Sequence, residues 1–443
     1  MKLIKAIYFS NRFFALIGVS VALFIFGYLI PFLLPFAKIA FLLLIGTTVA
    51  DMLLLFSAGQ TIESIRFVPE RLSNGDENEI KITLQSFFKT KVTALIIDEI
   101  PHQFQVRNFQ FALVLKPKET QTIRYKLRPV KRGEYDFGGV NIFVRSTLSL
   151  ISRRIRFEVG KQVPVYPSFI QMRKYELLAI SNQLINTGIK RIRKIGHNLE
   201  FESIKKYVAG DDARTVNWKA YARRGELMVN HYQDERSQQV YSLIDKGRVM
   251  QMPFNGMSLL DYAINASLVI SNIAIKKSDK AGLITFQDKI GTVLQASRIS
   301  NQMSQILETL YNQKTAFRES DFSVVYSSVR RNISQRSLLL LFTNFETLYG
   351  LERQLPYLKK LARQHLLVVI FFENSEMKKL IEKDTSQVQS IFYQAVAEKF
   401  SYEKRLIVKE LQKNGIHAVL TTPENLTINT INKYLELKAR NLI

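Results

Sequence analysis

The residues with the most chemistry to offer crowd into Glu200–Gln233. Two adjacent carboxylates, Asp211 and Asp212, follow Gly210, and cations come after them: Arg214, Lys219, Arg223 and Arg224. Paired carboxylates can hold a divalent cation, so one reading is a metal-dependent hydrolase or nuclease centred on Asp211 and Asp212. A second reading is local. Gly210-Asp211-Asp212 makes a turn with a helix N-cap, where negative charge suits the positive end of a short helix. Acidic and basic members could then satisfy one another in an internal network, against the functional reading of the segment as a docking surface or regulatory site. Trp218, the only tryptophan, is expected to anchor the segment in a core. Neighbouring carboxylates are common at helix starts, which favours the structural reading over the nuclease.

Elsewhere, active-site chemistry is sparse. The chain has no cysteine, which removes disulfides, thiolate metal sites and thiol nucleophiles. Its five histidines (His102, His197, His231, His365 and His417) form no HxxxH or HExxH pair. No GxGxxG or GxxxxGK[ST] follows any apolar run, so nucleotide-binding architectures have no support. No catalytic residue, cofactor or intact metal site is assigned, and the chain is not expected to be an enzyme.

The elements around the segment divide the 443 residues into several parts. Residues 1–59 read as a two-helix transmembrane hairpin. Residues 13–30 and 36–56 are apolar runs separated by a Pro-Phe-Leu-Leu-Pro turn, and each is long enough for a hydrocarbon core of about 30 Å. Lys2, Lys5 and Arg12 precede the first run, so the positive-inside rule keeps the N-terminus and residues 60–443 in the cytoplasm. Asp51 is expected one turn from the interface, with its charge reaching water. Residues 60–168 alternate with period two at Ile80–Leu84, Thr122–Leu127 and Val140–Val144, which predicts an antiparallel β-sandwich-like domain. Residues 169–236 read as a linker. Residues 237–443 alternate strands and helices, beginning with the Val240–Ile244 run that ends at Asp245. That order predicts a doubly wound α/β domain with a mostly parallel sheet.

The segment closely resembles the DUF58 family of bacterial proteins. The resemblance is carried by Tyr207, Gly210, Asp211, Asp212, Arg214, Trp218, Lys219, Ala222 and Arg223 in fixed order. It implies a membrane hairpin, a β-rich region and a C-terminal von Willebrand factor A-like domain, in the bacterial inner membrane. It also implies partnership with MoxR-type AAA+ ATPases that assemble or activate other complexes. A-type domains hold a divalent cation through Asp-x-Ser-x-Ser, a threonine and a Thr/Ser-Asp pair. The matching stretch here is Asp245-Lys246-Gly247-Arg248-Val249, with Thr343-Asn344 later. Asp245 survives, but Gly247 and Val249 supply no side-chain oxygen and Asn344 removes a carboxylate. Mg2+ is therefore not expected to bind in the usual manner. Lys246 could stand in the cation's place beside Asp245, or project into water with Arg248.

Basic residues exceed acidic ones by 62 to 38, a net charge of +24. The dense run Lys190-Arg191-Ile192-Arg193-Lys194 suits an anionic lipid surface. It lacks the interleaved aromatics that stack on bases, so nucleic acid is not expected as a partner, although a basic nucleic-acid-binding membrane protein is an alternative. The expectation is a membrane-tethered cytoplasmic adaptor or scaffold that binds lipids and membrane-complex proteins.

Overall fold

The computed structural model describes residues 6–57, 61–157, 160–180, 200–208, 215–233, 237–315, 317–374, 376–377 and 388–443. They form two compact units, divided between Tyr166 and Pro167.

The first unit opens with a short strand, β1 (Ile7–Phe9), before two apolar helices, α1 (Asn11–Leu29) and α2 (Leu34–Phe56). Both helices are long and apolar enough to cross a membrane. They touch along a narrow seam. Ser20 and Gly27 are the buried residues of α1, and Ala37, Leu44, Asp51 and Leu55 those of α2. Seven-residue steps in that set are the spacing that keeps one stripe facing a partner helix. The remaining apolar surface is exposed, as a helix facing lipid requires.

Ten strands follow: β2 (Ile62–Phe67), β3 (Leu72–Ser73), β4 (Asn78–Ser86), β5 (Val92–Asp98), β6 (Gln110–Leu115), β7 (Thr120–Leu127), β8 (Gly133–Phe137), β9 (Val140–Arg145), β10 (Ile151–Phe157) and β11 (Lys161–Tyr166). They form sheets β1-β10-β9-β5-β6, β2-β4-β7 and β3-β11-β8, antiparallel apart from the β3–β11 pair. Alternate residues such as Ile80, Ile82 and Leu84 of β4 and Ile142 and Val144 of β9 fill one common core. Inside it, Arg66 donates to Asp98 at 2.5 Å and to the Gly138 carbonyl at 2.8 Å, and Tyr125 also donates to Asp98.

One expectation fails here. Asp51 does not reach water; it is fully buried. Its carboxylate accepts from the Leu150 and Ile151 N–H groups, each at 2.9 Å, and from the Ser146 hydroxyl. Beside it, Ser10 caps α1 and also donates to the Ser149 carbonyl at 2.6 Å, while Arg153 donates to the Leu55 carbonyl at 2.7 Å. The β9–β10 connection supplies the polar partners that an apolar helix surface lacks, so the carboxylate is capped by protein and not by solvent.

In the second unit a helix, α3 (Phe169–Ile180), precedes a two-stranded ribbon of β12 (Glu200–Lys206) and β13 (Met228–Gln233), between which stands α4 (Trp218–Arg224). The α/β layer then runs β14 (Gln239–Asp245), the small hairpin β15 (Pro253–Phe254) and β16 (Met257–Ser258), α5 (Leu259–Lys276), β17 (Lys280–Phe286) and β18 (Ile290–Ser297). After these come α6 (Gln302–Tyr311), α7 (Phe322–Asn332), β19 (Leu338–Phe342), α8 (Leu348–Gln364), β20 (Leu366–Phe372), α9 (Val388–Lys413), β21 (His417–Thr421) and α10 (Leu426–Ala439). The sheet order is β18-β17-β14-β19-β20-β21, parallel except for the antiparallel edge strand β18. Val240 and Ile244, Leu338 and Leu340, and Val368 and Ile370 face one core. Leu243, Leu339 and Leu341, and Val369 and Phe371 face the other. Two buried faces explain why these strands read as unbroken apolar runs. Helix α5 is long and apolar enough to cross a membrane, but here it is the central helix of the first of these cores.

Candidate functional site

Among the described residues, two places in the second unit bring together side chains that the sequence marks for chemistry or binding. The first is the C-terminal edge of the sheet, where the chain leaves β14 toward β17 on one side and later returns on the other with β19. Loops beyond such a reversal leave a crevice at the strand ends. Asp245 ends β14 and is fully buried. One carboxylate oxygen accepts from the Gly247 N–H at 2.8 Å and from the Ser320 hydroxyl; the other accepts from Thr343 at 2.7 Å. Burial pushes its carboxyl above the usual range, and these three donors pull the other way.

Gly247 has a steric reason to be glycine. A Cβ there would collide with the Ser320 hydroxyl and stand 3.1 Å from the Arg318 carbonyl. Ser320 thus fills the space that a serine side chain at 247 would need. The sequence gives little sign of Ser320, which lies in the connection before α7, 75 residues from its partner.

The stand-in proposed for the cation is misplaced. Lys246 turns toward β18, where a Cβ on Gly291 would come within 2.8 Å of its Nζ. Its side chain is half-buried, which depresses its pKa, while Arg248 is exposed. Another lysine stands at the same edge. Lys404 of α9 donates to the Asn344 side chain at 2.7 Å and to the Phe345 carbonyl, with its Nζ 5.6 Å from the centre of the Phe371 ring. Burial lowers its pKa to about 8, although Glu346 and Glu373 oppose the shift. The sequence places Lys404 within a helical repeat 60 residues from Asn344, with no local motif to mark it.

Two cavities open at this edge and share Asn344 and Glu346. One, of about 160 Å3, is bordered by Asp245, Arg248, Ser320 and Thr343. The other, of about 260 Å3, is walled mainly by apolar side chains, among them Phe254, Phe372 and Phe400, with Lys404 on its lining. Among the described residues no group of three His, Cys, Asp or Glu side chains converges as metal ligands.

The second place is the ribbon module. Gly210, Asp211, Asp212 and Arg214 lie outside the described residues, as does the Lys190–Lys194 run. The helix that follows is capped not by the Asp pair but by Asn217, whose side chain accepts from the Ala220 N–H at 3.0 Å and donates to Asn230 of β13 at 2.8 Å. Gly225 ends the helix in a left-handed conformation with φ of 69°, which a glycine adopts without steric cost. Trp218 is not in a core. It is 68% exposed and meets Tyr221 edge to face at 6.1 Å. Lys219 and Arg223 are exposed on the same helix, and Tyr207 and Val208 are exposed at the end of β12.

Comparison with known proteins gives the following. Residues 203–381 match the family model described as "Protein of unknown function DUF58". The uncharacterized protein YeaD of Bacillus subtilis is 26% identical over 226 residues, which cover 50% of this chain and 55% of YeaD. The match thus spans about half the length of that relative. Among solved structures, the conserved hypothetical protein BatB from Bacteroides thetaiotaomicron is 12% identical, with a TM-score of 0.30 over 46% of this chain and 100% of BatB. A CARDB domain from Pyrococcus furiosus is also 12% identical, with a TM-score of 0.18 over 24% of this chain and 90% of the domain.

Proposed function

We propose that the chain is a membrane-tethered adaptor whose second unit grips other proteins. The observation that carries this reading is Trp218. A large aromatic that a core could have used stands in solvent on α4, beside Tyr221 and the exposed Lys219 and Arg223. Exposed Trp, Tyr and Arg side chains are the types that dominate binding energy at protein interfaces. Asp245 adds support from the sheet edge. Its carboxylate is committed to Gly247, Ser320 and Thr343, so it organises loops and is poorly placed to move a proton or accept a ligand. The apolar cavity beside it offers a seat for a partner's side chain.

The resemblance to DUF58 points to a MoxR-type AAA+ ATPase as the partner, and to an A-type domain with a degenerate cation motif as the second unit's fold. The two apolar helices would anchor the chain in the bacterial inner membrane, with the N-terminus, the strands that follow the hairpin and the second unit in the cytoplasm. The test is direct binding of a purified MoxR-type ATPase to the full chain in lipid nanodiscs. Trp218→Ala or Arg223→Ala should weaken binding by roughly thirtyfold, the effect of losing an interface anchor worth about 2 kcal/mol. Binding unchanged in both variants would refute the docking role of α4. Turnover of a phosphoester or nucleic-acid substrate that depends on Asp211 would refute the adaptor itself.

A further inference from the structure

We propose that one end of the sheets formed by β2–β11, the β unit, rests in the headgroup layer of an anionic phospholipid leaflet, the same membrane that α1 and α2 cross. This rests on the reading of those helices as a transmembrane hairpin. The joint between hairpin and sheet fixes the depth of that end. The β9–β10 connection is bonded to Ser10 at the start of α1 and to Asp51 of α2. From Ser10 to Leu29 a helix rises about 28 Å, and from Leu34 to Asp51 about 26 Å. Both lengths fall just inside a hydrocarbon core of about 30 Å. With the Pro31–Leu34 turn at the far boundary, the connection lies at the near one. The strand β1 enters the sheet directly before α1, pairing Phe9 with Ile151, so the sheet cannot swing away from the helices.

The register extends this level across the unit. Arg145 pairs with Thr93 and Val92 with Leu115, which places the β4–β5 connection and the β6–β7 turn beside the β9–β10 connection. The Phe87 N–H also bonds to the Thr61 carbonyl, close after the end of α2. These connections have the composition of a membrane interface. Phe87 and Leu148 are 38% and 44% exposed, and Lys89, Lys91, Lys116 and Arg145 are exposed around them. Their one acid, Glu119, accepts from the Lys116 backbone N–H at 2.7 Å. Apolar side chains flanked by cations suit the acyl boundary beneath anionic headgroups, each cation near the surface contributing about 1 kcal/mol.

The absence of native cysteine allows a site-by-site test on the full chain. Leu148→Cys, Thr90→Cys, Arg107→Cys and Val21→Cys each carry an environment-sensitive fluorophore, in vesicles of phosphatidylcholine with or without phosphatidylglycerol. Arg107 lies in the connection at the opposite end of β5 and β6. Probes at 148 and 21 should be quenched by lipids carrying a quencher near the glycerol level or deeper, and the probe at 107 should not. The probe at 90 should be quenched at least twofold more on phosphatidylglycerol vesicles, and that excess should vanish in Lys89→Glu/Lys91→Glu. Quenching at 21 without quenching at 148 would overturn the seating of the β unit while leaving the hairpin. No quenching at 21 would overturn the hairpin reading itself. Equal quenching at 90 on both vesicles would overturn the choice of an anionic leaflet.

Discussion

Replacing Asp51 with leucine tests the joint between α2 and the β unit. The carboxylate serves two backbone N–H groups and one hydroxyl, all within a fully buried setting. Leucine suits the surrounding apolar helix, so α2 itself should persist, but the three donors lose their acceptor. An unsatisfied buried donor costs about 1–3 kcal/mol, and a sum of about 4 kcal/mol is a moderate value for three that relax in part. If the loop opens locally, exchange of the Leu150 and Ile151 amides should quicken by roughly a thousandfold, since about 1.4 kcal/mol is one factor of ten. Asp51→Asn keeps one carbonyl oxygen and should give roughly half that loss in free energy, about thirtyfold. Hydrogen exchange with mass spectrometry on peptides covering 146–157, in nanodiscs, reads the effect directly. Unchanged protection in Asp51→Leu would show that the carboxylate does not hold the loop.

Other expectations concern the interior and the sheet edge. Arg66→Ala leaves Asp98 as a buried charge without its guanidinium, and should destabilise the β unit by about 3–5 kcal/mol in thermal melts; a loss under 1 kcal/mol would contradict that account. Lys404 has a folded pKa near 8, below its unfolded value, so the unfolded chain binds more protons between about pH 8 and 10. Stability should therefore rise with pH through that window by up to about 3 kcal/mol, and Lys404→Met should flatten the rise. Titration calorimetry of the full chain with Mg2+ should show no Asp245-dependent site tighter than about 1 mM. Gly247→Ser should not create one, because the new Cβ collides with Ser320; tight binding abolished by Asp245→Ala would refute both statements.

Much of the framework is visible in the amino-acid pattern. Leu338–Phe342 and Leu366–Phe372 announce strands buried on both faces, and the helices around Ser258–Lys276 and Val388–Leu411 stand close to where their periodicity puts them. What escaped depends on distant partners. Ile7–Phe9 is three residues long and merges with the apolar N-terminus; only its pairing with β10 makes it a strand. Ile290–Ser297 has a mixed, half-exposed pattern because it lies on a sheet edge. Asp51 reads as solvated in the sequence because Ser146, Leu150 and Ile151 are about a hundred residues away. Trp218 differs from its expected place for another reason: an aromatic residue is usually a core residue, and nothing local signals that this one is left outside. At the sheet edge, Asp245 and Thr343 were legible from strand ends, whereas Ser320 and Lys404 arrive through connections whose course no local pattern fixes.

The place of β1 imposes an order of events during synthesis. Ile7 pairs with Arg153, 146 residues further on, and Asp51 waits for Ile151, 100 residues downstream. At about 5–20 residues per second, a ribosome needs on the order of 10 s to make that stretch. Over that interval the nascent hairpin carries a bare carboxylate and an unpaired strand at its base. Synthesis of the β9–β10 connection and the start of β10 is what closes both, so truncation anywhere before residue 150 leaves them open for quality-control proteases to find.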